Sequence, residues 1–250
     1  MKIDLVNKTI LITGSSDGIG KMLAIELSKL GANIILLGRN QKKLNNVYDQ
    51  LNTSTSLQKH LIIETDLNTL NNITADEIFI AINQEFNDID GLIHNAAILG
   101  TMTPLRDYDM SIWDQVIQTN LTAPFLLTKA LLPMLATSSL PRIIFTSSGV
   151  ANIGKSFWGA YSVSKFGLKG LAEIFADELE STSPIKVFNF DPGATRTNMR
   201  ASAYPAEDPN KVKPTFELLN CYLWFFSKES IESNENYFEF SDLSKKVNST

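Results

Sequence analysis

One cysteine, Cys221, and two histidines, His60 and His94, are all that the 250 residues contain of either type. An internal disulfide is excluded, and no structural metal site assembles from that set without several carboxylates. No metal is expected. The net charge of −5 leaves no broad basic face, so nucleic acid is not an expected partner. No apolar run approaches the roughly 18 residues of a membrane span. Asp4 stands where a secretory signal would carry its apolar stretch, so a cytoplasmic, membrane-free protein is expected. Before residue 200 there is no internal repeat, no low-complexity block and no linker rich in Pro or Gly. What is plentiful is apolar residue, at 44%, which rules out disorder and suffices for one core. A single domain over 1–250 is expected.

The apolar residues fall in short runs that alternate with longer helical stretches. Strands are expected at Thr9–Thr13, Asn33–Leu37, Leu61–Thr65, Gly91–His94, Arg142–Thr146 and Ile185–Phe190. Most are nearly continuous in Ile, Leu, Val or Phe, as parallel strands buried on both faces require. Ile19, Leu23, Leu27 and Leu30 mark one buried helical face. Ser111 and Asp114 read as a capping box opening a helix to about Leu135. Another helix runs from Tyr161 to Ser181, with Phe166, Leu168, Leu171 and Phe175 available for packing. The pattern predicts an α/β fold, a doubly wound parallel sheet of Rossmann type with helices on both faces. Ala201–Pro214 breaks the alternation as a surface excursion. An apolar stretch follows at Leu218–Phe226, and the polar tail 241–250 is expected to fray.

Thr13-Gly14-Ser15-Ser16-Asp17-Gly18-Ile19-Gly20 lies where the first strand hands over to the first helix. Gly14 permits a tight turn, Gly18 lets backbone approach a pyrophosphate, and Gly20 lets the helix pack on the strand. The helix N-terminus then offers N–H groups and positive dipole to an anion. The G-K-[ST] ending of a phosphate loop is missing, because Met22 follows Lys21. At the end of the second strand stands Leu37-Gly38-Arg39-Asn40, without the acid that would bind a ribose 2′-hydroxyl. Arg39 can meet a 2′-phosphate instead, which favours NADP(H) while leaving NAD(H) open.

Tyr161 and Lys165 sit at i and i+4 on one helix face. A neighbouring ammonium lowers a phenol pKa, making tyrosine a usable acid–base group. Ser148 follows the strand Arg142–Thr146 and Asn95 follows Gly91–His94, at the strand ends where such sheets collect ligands. Ser147 competes with Ser148, and spacing does not separate them.

The glycine turn, Asp66-Leu67, Asn95-Ala96, Asn120, Ser148, Tyr161-x-x-x-Lys165 and Asp191-Pro192-Gly193 together resemble the short-chain dehydrogenase/reductase family, over essentially the full length. The stretch 195–209 is similar to a narrower bacterial branch, the YciK-type oxidoreductases. The resemblance implies that Tyr161 exchanges a proton with the substrate oxygen, Ser148 binds that oxygen, and Lys165 holds the nicotinamide ribose while depressing the tyrosine pKa. Asn120 would anchor a water supplying protons to Lys165. The cofactor would lie along Gly14, Ser16, Asp17, Gly18, Ile19 and Gly20. Asp66 and Leu67 would flank its adenine, and Asn95, Ala96 and Ala97 its adenine ribose. Pro192, Gly193, Thr195 and Thr197 would sit beside the nicotinamide. Two departures stand out: Ala97 replaces the usual glycine, and Asp17 occupies a place where some NADP-preferring members are basic.

The resulting expectation is an NADP(H)-dependent oxidoreductase acting on a small-molecule carbonyl or secondary alcohol. The alternative is a dinucleotide-binding redox sensor or scaffold without turnover. Ala151–Trp158 and Asn198–Pro214, with Phe157, Trp158, Met199, Arg200 and Tyr204, are the expected substrate wall, and 198–214 the expected lid. Family members form homodimers or homotetramers. Leu126, Leu127, Leu131 and Leu135 suit such an interface or an internal core equally well.

Overall fold

The computed structural model describes residues 3–51 and 58–248. Seven parallel strands form one sheet in the order β3-β2-β1-β4-β5-β6-β7. They are β1 (Thr9–Thr13), β2 (Asn33–Gly38), β3 (His60–Glu64), β4 (Gly91–His94), β5 (Arg142–Thr146), β6 (Lys186–Asp191) and β7 (Tyr237–Glu239). Six match the sequence reading to within a residue or so. The seventh escaped it, because three residues pairing Asn189–Asp191 with Tyr237–Glu239 leave no periodic signature. After β3 the chain returns to the other side of β1 to lay down β4, and this reversal opens a crevice above β1 and β4.

Two apolar clusters cover the two faces of the sheet. One gathers α1 (Gly18–Lys29), α2 (Gln41–Tyr48), α8 (Leu219–Trp224) and α9 (Phe240–Asn248). The other gathers α3 (Asn72–Glu85), α5 (Ala123–Ala136) and α6 (Gly159–Glu180). Leu23 and Leu27 are wholly buried on α1, with Ile19 and Leu30 packed at the margin. On α6, Leu168 and Phe175 are buried, whereas Phe166 faces outward. Leu218–Phe226 supplies Leu218, Tyr222, Trp224 and Phe225 to the core.

Two expectations need correction, and one open choice closes. The helix expected from Ser111 is capped two residues earlier by Asp109, whose carboxylate accepts from the Ser111 and Ile112 N–H groups. It is also not continuous: α4 (Met110–Ile117) passes through a wide π turn, Gln118–Thr122, before α5 begins. Pro124 has no N–H to give the Asn120 carbonyl, so the four-residue ladder cannot continue there. Residues 241–248 do not fray. They belong to α9, whose Leu243 and Val247 are buried at a four-residue spacing that polar neighbours concealed. Residues 249 and 250 lie outside the described residues. Of the leucines that suited an interface or a core equally well, Leu127, Leu131 and Leu135 are fully buried in the chain's own core and Leu126 packs at its margin. Among the described residues, no helix is long and apolar enough to cross a membrane.

Candidate active site

A cleft of about 540 Å³ lies over the carboxyl ends of β1, β2, β4 and β5. Its middle is built from backbone at close quarters. Gly14, with φ +66°, lies so near the chain after β4 that a Cβ would come within 2.8 Å of the Ala96 Cα. A Cβ on Gly20 would fall 2.4 Å from the Gly14 carbonyl oxygen. The Thr13 hydroxyl accepts from the Asn95 and Ala96 N–H groups, each at 3.0 Å. The Asn95 amide in turn donates to the carbonyls of Thr13 and Gly14. Asn95 is therefore a brace for the glycine turn as well as part of the cleft wall, which Ala96 and Ala97 continue.

Ser16, Asp17, Gly18 and Ile19 line the cleft at the start of α1. The helix end is not wholly free, however. Asp17 caps it, accepting from the Gly18 N–H at 2.7 Å and, through its other oxygen, from Asn198 Nδ2 at 2.7 Å. At one extremity the cleft meets Arg39, Asp66 and Leu67, with Arg39 exposed. Lys43 stands there too. Sequence reading missed it, because its nearness to Arg39 depends on where α2 starts. Asn40 sets that start by accepting from the Lys43 N–H at 2.9 Å.

At the other extremity stand Tyr161 and Lys165, both buried. Lys165 Nζ donates to the Thr146 carbonyl at 2.7 Å and lies 5.7 Å from the Tyr161 ring centre. Burial brings its pKa down to about 8, with Asp191 pulling it back up. Burial drives the Tyr161 phenol up to about 12, opposed by a hydrogen bond with Ser148 and reinforced by the Asp191 charge. The expected depression of the phenol by Lys165 is not found, because loss of water outweighs a cation already bonded to a carbonyl. Ser148, not Ser147, is the serine that shares the second cavity with Tyr161 and pulls its phenol pKa down; the Ser147 hydroxyl is buried without a partner among the described residues.

Beyond Tyr161 the cleft opens into a second cavity of about 260 Å³. Ile19, Tyr161, Thr197 and Met199 belong to both. Ser148, Gly193 and Thr195 line the second cavity alone. Trp158 packs against Tyr161 and Tyr204 with ring centres 5.7 and 5.9 Å away. Tyr204 lies in turn under the Arg200 guanidinium, 3.7 Å from its ring centre. Arg200 is on the short helix α7 (Asn198–Ala203) and grips Glu207 with two bonds of 2.7 and 2.6 Å. Of the expected substrate wall, Trp158, Met199, Arg200 and Tyr204 are present. Phe157 is not among the lining residues and is largely exposed, and 205–214 lie outside the cavity.

Three expected site residues line neither space. Gly20 packs beneath the turn, and Pro192 is buried behind Gly193. Asn120 sits in the π turn, where its amide holds the Ile98 N–H at 2.8 Å and the Ile98 carbonyl at 2.9 Å, and also reaches Ser164. Gly14-Ser15-Ser16-Asp17-Gly18 also spells the G-x-S-x-G of a hydrolase elbow. Neither histidine serves it: His94 is buried against Phe145 and bonded to Thr128, and His60 Nδ1 accepts from the Ile34 N–H.

Comparison with known proteins agrees with this geometry. The short chain dehydrogenase family matches residues 8–208. An uncharacterized oxidoreductase of Escherichia coli K12, YciK, is 40% identical over 230 residues, 92% of this chain and 90% of its own. A short chain dehydrogenase of Shigella flexneri, solved with NADP, superposes with a TM-score of 0.90 at 38% identity, covering 96% of this chain and 100% of that one. One from Escherichia coli CFT073, solved with NADPH, gives 0.89 at 39% identity, with 96% and 99% coverage. A seven-stranded Rossmann-type sheet, a glycine-cradled cleft and these relatives converge, and the chain belongs to the short-chain dehydrogenase family of oxidoreductases.

Proposed function

We propose that the protein is an NADP(H)-dependent oxidoreductase that interconverts a small carbonyl compound and its alcohol. The carrying observation is the position of Tyr161, a buried phenol shared by the two spaces, with Ser148 on the same cavity wall. When bound, NADP(H) supplies or receives the hydride. Its place is supported by Gly14 and Gly18, which line the cleft at φ +66° and +52° and bring main chain to its wall. Arg39 and Lys43 at the far end are two cations suited to a 2′-phosphate. The solved relatives that carry NADP and NADPH support the same choice.

During reduction Tyr161 gives its proton to the substrate oxygen while the carbonyl carbon gains the hydride. A phenol held near pKa 12 is fully protonated at neutral pH, so the acid form is ready. Ser148 donates to the same oxygen as charge develops there. Lys165, cationic below about pH 8, stabilises the phenolate that is left and returns a proton to it. The Asn120 carbonyl, denied its helical donor by Pro124, anchors the water through which Lys165 is recharged. Substitution of Tyr161 by Phe tests this assignment. NADPH affinity should stay within about twofold, while carbonyl-dependent NADPH oxidation falls at least a hundredfold. Unimpaired turnover would refute the mechanism, and absence of turnover in the wild type with every carbonyl tried would favour a redox sensor.

The exposed apolar side chains Phe125 on α5 and Val163, Phe166 and Ile174 on α6 support a homodimer or homotetramer. They take the role that the buried leucines of α5 cannot.

A further inference from the structure

Asp191 ends β6 on the wall of the second cavity, beside Ser148 and Tyr161, and the mechanism above leaves it unused. It is buried, yet it makes no ion pair among the described residues. The two nearby lysines are bonded elsewhere: Lys165 to the Thr146 carbonyl and Lys213 to the Ala194 carbonyl, each at 2.7 Å. One carboxylate oxygen, Oδ1, accepts from the Gly193 N–H at 2.8 Å. The other, Oδ2, has no hydrogen-bond donor among the described residues, and an atom added to Gly149 would just touch it at 3.5 Å. That oxygen is open to the cavity and not sealed in the protein, so a ligand entering there can supply the missing bond.

Three lysines are already close, Lys213 and Lys165 acting on the carboxylate against Glu239 and Lys155 lining the cavity, so an added cation would meet like charge. A neutral donor is the better fit. Among aliphatic Ile19, Leu99, Val150 and Met199, the wall carries flat groups in Trp158, Tyr204 and the guanidinium stacked on it. A space of about 260 Å³ suits one or two rings. We propose that Asp191 is the specificity-determining residue and selects a flat aromatic or heteroaromatic carbonyl compound with a neutral N–H or O–H donor near its carbonyl. The proposal rests on the oxidoreductase reading for the carbonyl, but the donor preference is separable from it.

The test uses two isosteres, indole-2-carbaldehyde, which offers an N–H, and benzofuran-2-carbaldehyde, which offers an ether oxygen in the same place. Their kcat/KM ratio with NADPH is compared between the wild type, Asp191→Ala and Asp191→Asn, so intrinsic reactivity cancels. Asp191→Ala should lower the indole-to-benzofuran ratio at least tenfold. Asp191→Asn keeps an acceptor for the Gly193 N–H and turns an amide N–H₂ toward the cavity. Its ratio should fall below that of the alanine variant, with unchanged melting temperature as the check on folding. A purely turn-forming Asp191 would leave the ratio within twofold in Asp191→Asn, and that result overturns the proposal. Calorimetric titration of the corresponding alcohols into the NADP complex reads the same preference without turnover. A donor preference lost in Asp191→Asn but accompanied by no turnover would uphold the recognition and sink the oxidoreductase reading. Turnover without a donor preference would do the reverse.

Discussion

The two spaces that meet at Tyr161 are built on different principles. The long cleft is made of main chain: Gly14 against Ala96, Gly20 against the Gly14 carbonyl, and Asn95 bracing the turn. The second cavity is made of side chains from distant segments, with Trp158, Asp191, Arg200 and Tyr204 brought together by the loops after β5 and β6. Backbone packing admits one shape and tolerates almost no change. Side-chain walls on loops can be exchanged without disturbing the sheet. On the proposed function, the arrangement separates a rigid cofactor grip from an adjustable substrate grip, joined by one phenol.

The contrast can be broken most severely at Gly20. A methyl there meets backbone oxygen at 2.4 Å and the Asn95 amide at 2.7 Å, both fixed groups. Gly20→Ala should weaken NADPH binding at least a hundredfold, or lower stability by about 1–3 kcal/mol, as read by titration and thermal melting. Normal binding and stability in this variant would mean that the turn is looser than its geometry says. At the other end, Arg200→Ala removes both the Glu207 clamp and the cover on Tyr204. KM for the carbonyl substrate should rise roughly tenfold, about 1.4 kcal/mol, with NADPH affinity unchanged. An equal loss in cofactor affinity would show that the two grips are not separate.

A smaller effect concerns pH, where the shared residues speak for both spaces. Tyr161 stays protonated far above neutrality, while Lys165 loses its charge through about pH 8. Reductive kcat/KM should hold level up to about pH 8 and decline by a few-fold over the next unit. Alcohol oxidation, which begins from the phenolate, should rise over the same range. A reductive rate that climbs above pH 8 would contradict the assignment of the acid.

Legibility in the sequence follows the same division. The glycine turn and the parallel strands are local features that spacing exposes, whereas the Tyr161–Lys165 pair is weak by spacing and takes its weight from the motifs around it. Ser148 could not be told from Ser147 by spacing, because the choice depends on which hydroxyl reaches Tyr161. Lys43 was invisible because its place in the cleft depends on the Asn40 cap and the first turn of α2. The π turn at Asn120 did carry a signal, the proline four residues later. β7 and α9 did not, since a three-residue strand and a polar helix with Leu243 and Val247 buried acquire meaning only against the finished sheet. Asp191 was visible as part of a motif, but its cavity and its unpaired oxygen arise only in three dimensions.

The central claim is that the cleft is an NADP(H) grip, with Arg39 and Lys43 reading the 2′-phosphate. Parallel titrations of NADPH and NADH into the purified protein, followed by nicotinamide fluorescence, test it most directly. Binding of NADPH at least tenfold tighter, about 1.4 kcal/mol, is the result the structure predicts. Equal or tighter binding of NADH would contradict it and shift the weight to Asp17 at the head of α1.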